Sequence, residues 1–387
     1  MISQHLNIYY KEDDQMKIIA AIDSFKGSMT SERANQAVID ALPQHEVVSF
    51  PIADGGEGTV DAFVKAEKGE VITRTITGVN GQLYEGRWGW VEENKTAVIE
   101  VAEGAGIIQA DPETFHPENH TSYGVGEQII QALDYGAETI ILGLGGSATT
   151  DGGIGMLQAL GVTFKDTEDK TLPVLPVNLK AVEAIDASEL DERVTSVKWE
   201  LASDVSNPLL GQNGAVYVFG EQKGLSKDEL PDYDKAMAEY ARLVEECTQS
   251  KMTEIEGAGA AGGIGFAALS FFGCTFQSGL TLLAERGNFK ARLNDADLVI
   301  TGEGKFDTQS LQGKVPVGIS RMCRDAEVPV ILFAGKIEEG LADVPEEHIQ
   351  AVLPIVDAPM TLKEAMDKGP ELLERAVRRA FKLIDAT

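Results

Sequence analysis

Cysteine is scarce in this 387-residue chain: Cys247, Cys274 and Cys323 stand far apart, with no CxxC and no adjoining histidine pair. That excludes a disulfide scaffold and a zinc finger, and it fits a reducing cytoplasm. Basic residues are outnumbered, 33 Lys and Arg against 62 Asp and Glu, for a formal net charge of −29. A balance of that sign argues against nucleic acid and anionic membranes as partners, and reads as a solubility or salt-tolerance feature. No apolar run approaches membrane-spanning length. Histidines are few, and the only closely spaced pair, His116 and His120, sits in a Pro- and Asn-containing loop. No Gly-x-Ser-x-Gly elbow marks a serine nucleophile. The segment 1–15 lacks the apolar stretch and cleavage site of a signal peptide, so a disordered extension and a cytoplasmic location are expected.

What remains is an α/β pattern. The length predicts two domains. Lys17–Ile22 and Glu46–Phe50 read as buried strands, separated by a helix that Thr30 or Ser31 caps and that turns Ala34, Ala37, Val38, Ala41 and Leu42 to one face. A second helix, Thr59–Ala66, completes the opening of a doubly wound sheet. The style then changes: Val71–Thr77, Leu83–Trp90 and Ala97–Val101 are strands joined by Asn80-Gly81 and Glu93-Asn94 turns, which are hairpin signals. Further strands are expected at Thr139–Leu142, Lys198–Ala202 and Ala215–Phe219. From Leu298–Thr301 onward the α/β alternation returns, with helices at Val315–Asp325 and at Leu362–Ile384, the last interrupted at Gly369-Pro370. The economical fold is a discontinuous doubly wound, Rossmann- or flavodoxin-like domain (16–75 and 285–387) with an inserted α/β mixed-sheet domain (76–284).

Four segments combine glycines, hydroxyls and acids: Ala53–Thr59, Gly143–Gly153, Ser203–Pro208 and Thr301–Asp307. Glycine lets backbone N–H groups close on an anion, and a nearby carboxylate holds a hard cation. An ordinary turn needs one glycine and one capping acid; Asp54-Gly55-Gly56-Glu57-Gly58 exceeds that, and it follows a strand and opens a helix, where ligands bind in open α/β sheets. Asp54 and Glu57 are candidates for magnesium. Asp23-Ser24-Phe25-Lys26-Gly27-Ser28 follows the first strand, with Lys26 placed to meet an anion and Ser24 to hydrogen-bond it. Gly143–Gly153 looks like a phosphate cradle yet is not a Walker A loop, which requires Gly-Lys-Ser/Thr. Gly257–Gly262 fits G-x-G-x-x-G, but no credible strand precedes it, so close packing or a further glycine wall is the better reading. Asp204, Glu303 and Asp307 are candidates for metal binding or general base catalysis, and Lys314 could offset phosphate charge.

Together these residues resemble the bacterial glycerate kinase family. The match is carried, in order, by Asp23–Ser28, Pro51–Thr59, Gly145–Gly153, Ser203–Leu209, Gly257–Gly263 and Ala296–Gly304, with Asp307–Ser310 and Gly313-Lys314. The resemblance implies ATP-dependent phosphorylation of D-glycerate at the 2-hydroxyl with Mg²⁺, with glycerate and ATP as partners, no nucleic acid and no membrane; a homodimer is compatible with it. It also implies a two-domain α/β fold with the active site in the cleft between the domains.

Phosphoryl transfer rests on positioning and charge neutralisation. In this reading Gly145, Gly146, Ser147, Thr149, Asp151, Gly302, Gly304 and Lys314 bind the ATP phosphates. Asp54, Glu57, Asp151 and Glu303 hold metal. Ser24, Lys26, Asp54, Gly55 and Gly56 bind the substrate. Asp204 is the first choice for the base and Asp307 the second, with Lys26 as a catalytic cation. Competing readings are 3-phosphoglycerate as product, a nicotinamide-dependent hydroxy-acid oxidoreductase, and a non-catalytic anion-binding protein.

Overall fold

The computed structural model describes residues 15–341 and 348–384, so the expected extension over 1–15 lies, Gln15 apart, outside the described residues. The strands among them, in chain order, are β1 (Lys17–Ile22), β2 (Glu46–Ser49), β3 (Glu70–Thr77), β4 (Leu83–Val91), β5 (Thr96–Glu100), β6 (Thr139–Gly143), β7 (Thr163–Lys165), β8 (Ala184–Asp186), β9 (Lys198–Ala202), β10 (Thr275–Gln277), β11 (Leu298–Phe306), β12 (Val330–Ile337) and β13 (Ile349–Pro354). The chain divides into two compact units, one from the chain up to Ala53 and from Leu280, the other from Asp54–Gly279.

The first unit holds a sheet in the order β13-β12-β11-β1-β2, every neighbouring pair parallel. Counted within the unit from the β2 edge, the order is 2-1-3-4-5, a doubly wound arrangement. Its central strands β1, β11 and β12 are buried on both faces along most of their length, which explains their continuous apolar runs, while the edge strand β2 is half-buried. One face takes helix Ser31–Ala41, whose Thr30 cap accepts from the Arg33 N–H and whose Ala34, Ala37, Val38 and Ala41 are buried. Helix Gly369–Ile384 joins the same core through Leu372, Leu373, Val377 and Phe381. Helix Val315–Asp325 packs Val317 against Phe306 and Leu332. The expected strand Leu298–Thr301 does not stop there; it continues through Gly302, Glu303 and Gly304 to Phe306, paired with β12. The glycines permit this: a Cβ on Gly302 would sit 2.2 Å from the Phe333 carbonyl oxygen.

The second unit holds a mixed sheet, β10-β9-β6-β5-β4-β3. Strands β3, β4 and β5 pair antiparallel, while β5, β6, β9 and β10 run parallel. The Asn80-Gly81 turn joins β3 to β4, with Gly81 at φ +79°. The core gathers Trp88, Phe164, Tyr240 and Phe266 between sheet and helices. Ala215–Phe219, expected as a strand, is a short helix that buries Ala215 and Val216 and leaves Val218 exposed. Its five β-branched and aromatic-rich residues carry too little periodicity to separate helix from strand, and packing decides.

Glu100, the last residue of β5, is buried and accepts the backbone N–H groups of Gly58 (3.3 Å) and Val60 (2.5 Å) at the start of helix Thr59–Glu67. A carboxylate at a helix N-terminus suits the orphan donors there. Burial nevertheless pushes its pKa up to about 8, against the pull of those two donors. Because the folded chain keeps a proton that the unfolded chain releases near 4.5, Glu100 withdraws stability as pH rises from about 4.5 to about 8. Thermal melting of wild type and Glu100→Gln across pH 5–9 should therefore show a smaller alkaline loss in the variant; parallel curves would assign no titration to Glu100 in this range.

Candidate active site

In the second unit, the C-terminal ends of β6 and β9 and the segment Asp54–Thr59 come together. The Gly145 N–H donates to the Gly55 carbonyl (2.9 Å) and the Leu144 N–H to the Ala202 carbonyl (3.1 Å). The approach tolerates no side chain. A Cβ on Gly145 would lie 2.4 Å from Gly56 Cα, and one on Gly55, at φ +90°, would lie 2.3 Å from the Ala202 oxygen. Asp54 takes the Gly56 N–H (3.0 Å) and so shapes its own turn, while Glu57 is exposed. Asp204 is exposed just beyond the end of β9. Gly257–Gly263 buttresses this assembly from behind: Gly152 N–H donates to the Gly262 carbonyl (3.0 Å), and Ala261, Gly262 and Gly263 all have positive φ. It follows no strand, which removes the setting a dinucleotide fingerprint requires.

Asp151 anchors the Gly143–Gly153 loop. Its buried carboxylate accepts Ser122 N–H (3.0 Å), Ser122 O–H (2.6 Å), Gly153 N–H (3.0 Å) and Gly155 N–H (3.2 Å). A carboxylate so committed is an organiser, not an open metal ligand. Several loop amides are likewise used internally, Ala148 N–H on Ala105 among them. Among the described residues, however, no acceptor takes the N–H groups of Gly146, Ser147, Thr149 or Thr150. The Thr149 and Thr150 hydroxyls are buried and also unpaired. Gly146 is exposed, but Ser147, Thr149 and Thr150 are buried, and unsatisfied buried donors in one loop call for an anion or ordered water.

Lys223 and His120 carry no motif, yet both reach this loop. Lys223 is 3% exposed, and its ammonium donates to Ser147 Oγ (2.8 Å) and the Thr149 carbonyl (2.8 Å). Burial pushes its pKa down to about 7, with Asp151 opposing. His120 pairs its Nδ1 with the Ala148 carbonyl (3.4 Å); Nε2 has no partner, and burial lowers its pKa. A buried lysine is the strongest signal, but its partners lie 76 and 74 residues away in sequence.

In the first unit, the strand order reverses between β1 and β11, which is where ligands bind in doubly wound sheets. The loop carrying Ser24 and Lys26 leaves β1 there, with Asp23 N–H donating to the Gly302 carbonyl (2.9 Å). Gly304 packs against that loop, where a Cβ would be in ordinary contact at 3.5 Å from Phe25 Cα and 3.8 Å from the Lys26 nitrogen. Lys26 is exposed. Glu303 is 7% exposed, and its Oε1 has no partner. Burial pushes its pKa up to about 7, against the Ser310 hydroxyl and the Lys314 charge. Asp307 differs: it is ion-paired with Lys305 (2.7 Å) and accepts Gln309 N–H (2.9 Å), so its pKa is held below the usual range, chiefly by Lys305. It closes the turn into the following helical segment and makes a poor proton acceptor. Lys314 is exposed, with its ammonium on Gln309 Oε1 (3.1 Å). Among the described residues no three His, Cys, Asp or Glu side chains group to hold a metal.

Comparison with known proteins agrees with the glycine architecture. The profile of the glycerate kinase family matches residues 18–385. The chain is 39% identical to a glycerate kinase of Bacillus subtilis (strain 168), covering 94% of this chain and 96% of that protein. It is 38% identical to a glycerate 2-kinase of Escherichia coli (strain K12), with the same coverage of each. The crystal structure of glycerate kinase 2 from Salmonella typhimurium LT2 superimposes with a TM-score of 0.83 at 36% identity, covering 96% of this chain and 99% of that one. No helix among the described residues is long and apolar enough to cross a membrane. With its fold and nearly its full length in common with these proteins, the chain belongs to the glycerate kinase family.

Proposed function

We propose that this protein transfers the γ-phosphoryl group of ATP to the 2-hydroxyl of D-glycerate. The observation that carries the reading is the near-complete match to a glycerate 2-kinase, joined to a loop whose free amides and hydroxyls suit a phosphate. The Gly143–Gly153 loop receives the phosphates on the N–H groups of Gly146, Ser147, Thr149 and Thr150. In the first unit Ser24 and Lys26 engage the glycerate carboxylate or a phosphate, with Lys314 as an additional cation; Asp54, Gly55 and Gly56 are the substrate-binding candidates of the second unit. Asp204 takes the proton from the attacking hydroxyl; Asp307, ion-paired with Lys305 and lowered in pKa, is the second choice. Phosphorus NMR of the product should show 2-phosphoglycerate, and a 3-phosphoglycerate signal would overturn the regiochemistry. Asp204→Asn should lower kcat by ~10²–10⁴ with an unchanged melting curve; near wild-type turnover would move the base elsewhere.

Magnesium fits this donor set as an ion that arrives with its phosphates and needs one or two protein carboxylates. Its contribution is to neutralise phosphate charge. Glu303, with an unpaired buried oxygen among the described residues, is the acid best suited to hold it in the first unit; Asp54 and Glu57 are the candidates in the second. A carboxyl with a pKa of about 7 is mostly protonated at pH 6 and mostly ionised at pH 8. Half-saturating magnesium should therefore fall several-fold between those pH values in wild type, and Glu303→Gln should lose that dependence. Identical pH dependence in the two proteins would take the metal away from Glu303.

A further inference from the structure

The Gly143–Gly153 loop presents N–H and O–H donors, but a cation lies directly beneath it. Lys223 ends the short helical turn Glu221–Lys223, whose chain neighbours are polar, and yet its side chain is buried. Ordering an ammonium group in a dry interior is unfavourable, and such a group is retained where something uses it. Its two hydrogen bonds both end on the loop. The bond to Ser147 has a direction: the ammonium donates, so Ser147 Oγ accepts and keeps its own proton for another partner. Among the described residues no acceptor takes that proton. The bond to the Thr149 carbonyl pins the residue whose N–H and hydroxyl are both unpaired. The ionisable groups acting on Lys223 are Asp151, from the loop itself, and His120, from the segment beside it. Burial lowers the pKa of His120, and Asp151 is the group whose charge favours the ammonium form of the lysine.

We propose that Lys223 is a positioning residue for phosphate: it orients the Ser147 hydroxyl and the Thr149 peptide toward the nucleotide's phosphate groups and supplies positive charge from behind the loop. This rests on the reading of the loop as the ATP phosphate site. The lysine touches no ligand; it acts through Ser147 and Thr149. A hydroxyl that accepts from an ammonium becomes a stronger donor to an anion, because the two hydrogen bonds polarise each other. The low pKa of Lys223 agrees with a group whose protonated form is favoured once an anion occupies the loop.

The test compares Lys223→Met, Ser147→Ala and the double variant by KM for ATP, KM for glycerate, kcat and thermal melting. Lys223→Met should raise KM for ATP by about tenfold or more. Its melting temperature should fall, since the variant leaves the Thr149 carbonyl unpaired and Asp151 without the lysine's charge. Ser147→Ala should raise KM for ATP as well, and the double variant should be no worse than Lys223→Met by more than about twofold, the signature of two residues acting as one unit. Multiplicative effects would overturn the proposal, as would a lowered melting temperature with KM for ATP unchanged. Ser147→Ala leaves the lysine in place and keeps the test decisive if Lys223→Met does not fold: an unchanged KM for ATP in that variant alone overturns the coupling. A coupled rise in KM for glycerate instead of ATP would overturn the phosphate reading of the loop while upholding the link between lysine and serine.

Discussion

A single buried carboxylate holds the second unit's loop in shape. Asp151 collects four donors, two from Ser122 before helix Tyr123–Tyr135 and two from Gly153 and Gly155 at the start of helix Ile154–Ala159. It thereby ties the two helix N-termini to each other and fixes the exit of the Gly143–Gly153 loop. Charge-assisted bonds of this kind are strong in a dry interior, and leaving any of the donors unpaired there is costly. The glycines follow from this anchoring. Once the loop's exit is fixed, its body can pass Gly55 and Gly56 on one side and Gly262 on the other only where no Cβ intervenes.

The two units use one chemical logic with different parts. In the second, backbone amides left free by an otherwise well-bonded loop make a donor surface, with Lys223 behind it. In the first, the switch point between β1 and β11 places the Lys26 loop next to a buried, half-partnered carboxyl at Glu303. Donors and a cation suit phosphate oxygens; a carboxyl with a raised pKa suits a cation or a proton. Each environment sets the character of its groups: Glu303 and Asp307 lie four residues apart, yet burial raises one and an ion pair lowers the other.

Much of this was legible in the sequence. Buried parallel strands are continuous apolar runs, and Lys17–Ile22, Lys198–Ala202 and helix Val315–Asp325 fall where periodicity and capping place them. The glycine-acid segments were legible because a turn alone does not need so many glycines. What escaped was long-range. Gly302–Gly304 reads as a loop by composition, and only pairing with β12 makes it strand. Asp151 reads as an open acid because its Ser122 donor lies 29 residues away in sequence, whereas the Lys305 partner of Asp307 is a local one. Lys223 looks like one more surface lysine in a Glu-Gln-Lys-Gly segment, because burial of a single polar side chain leaves no periodic trace.

The central claim is that the free donors of the Gly143–Gly153 loop receive the nucleotide's phosphates. Amide hydrogen exchange of the full chain, followed by peptide mass spectrometry with and without Mg-ATP, measures this directly. The account predicts that nucleotide slows exchange in peptides covering residues 143–153, where four amides lack a protein acceptor among the described residues. Unchanged exchange across that loop, with protection appearing elsewhere at saturating nucleotide, would contradict it.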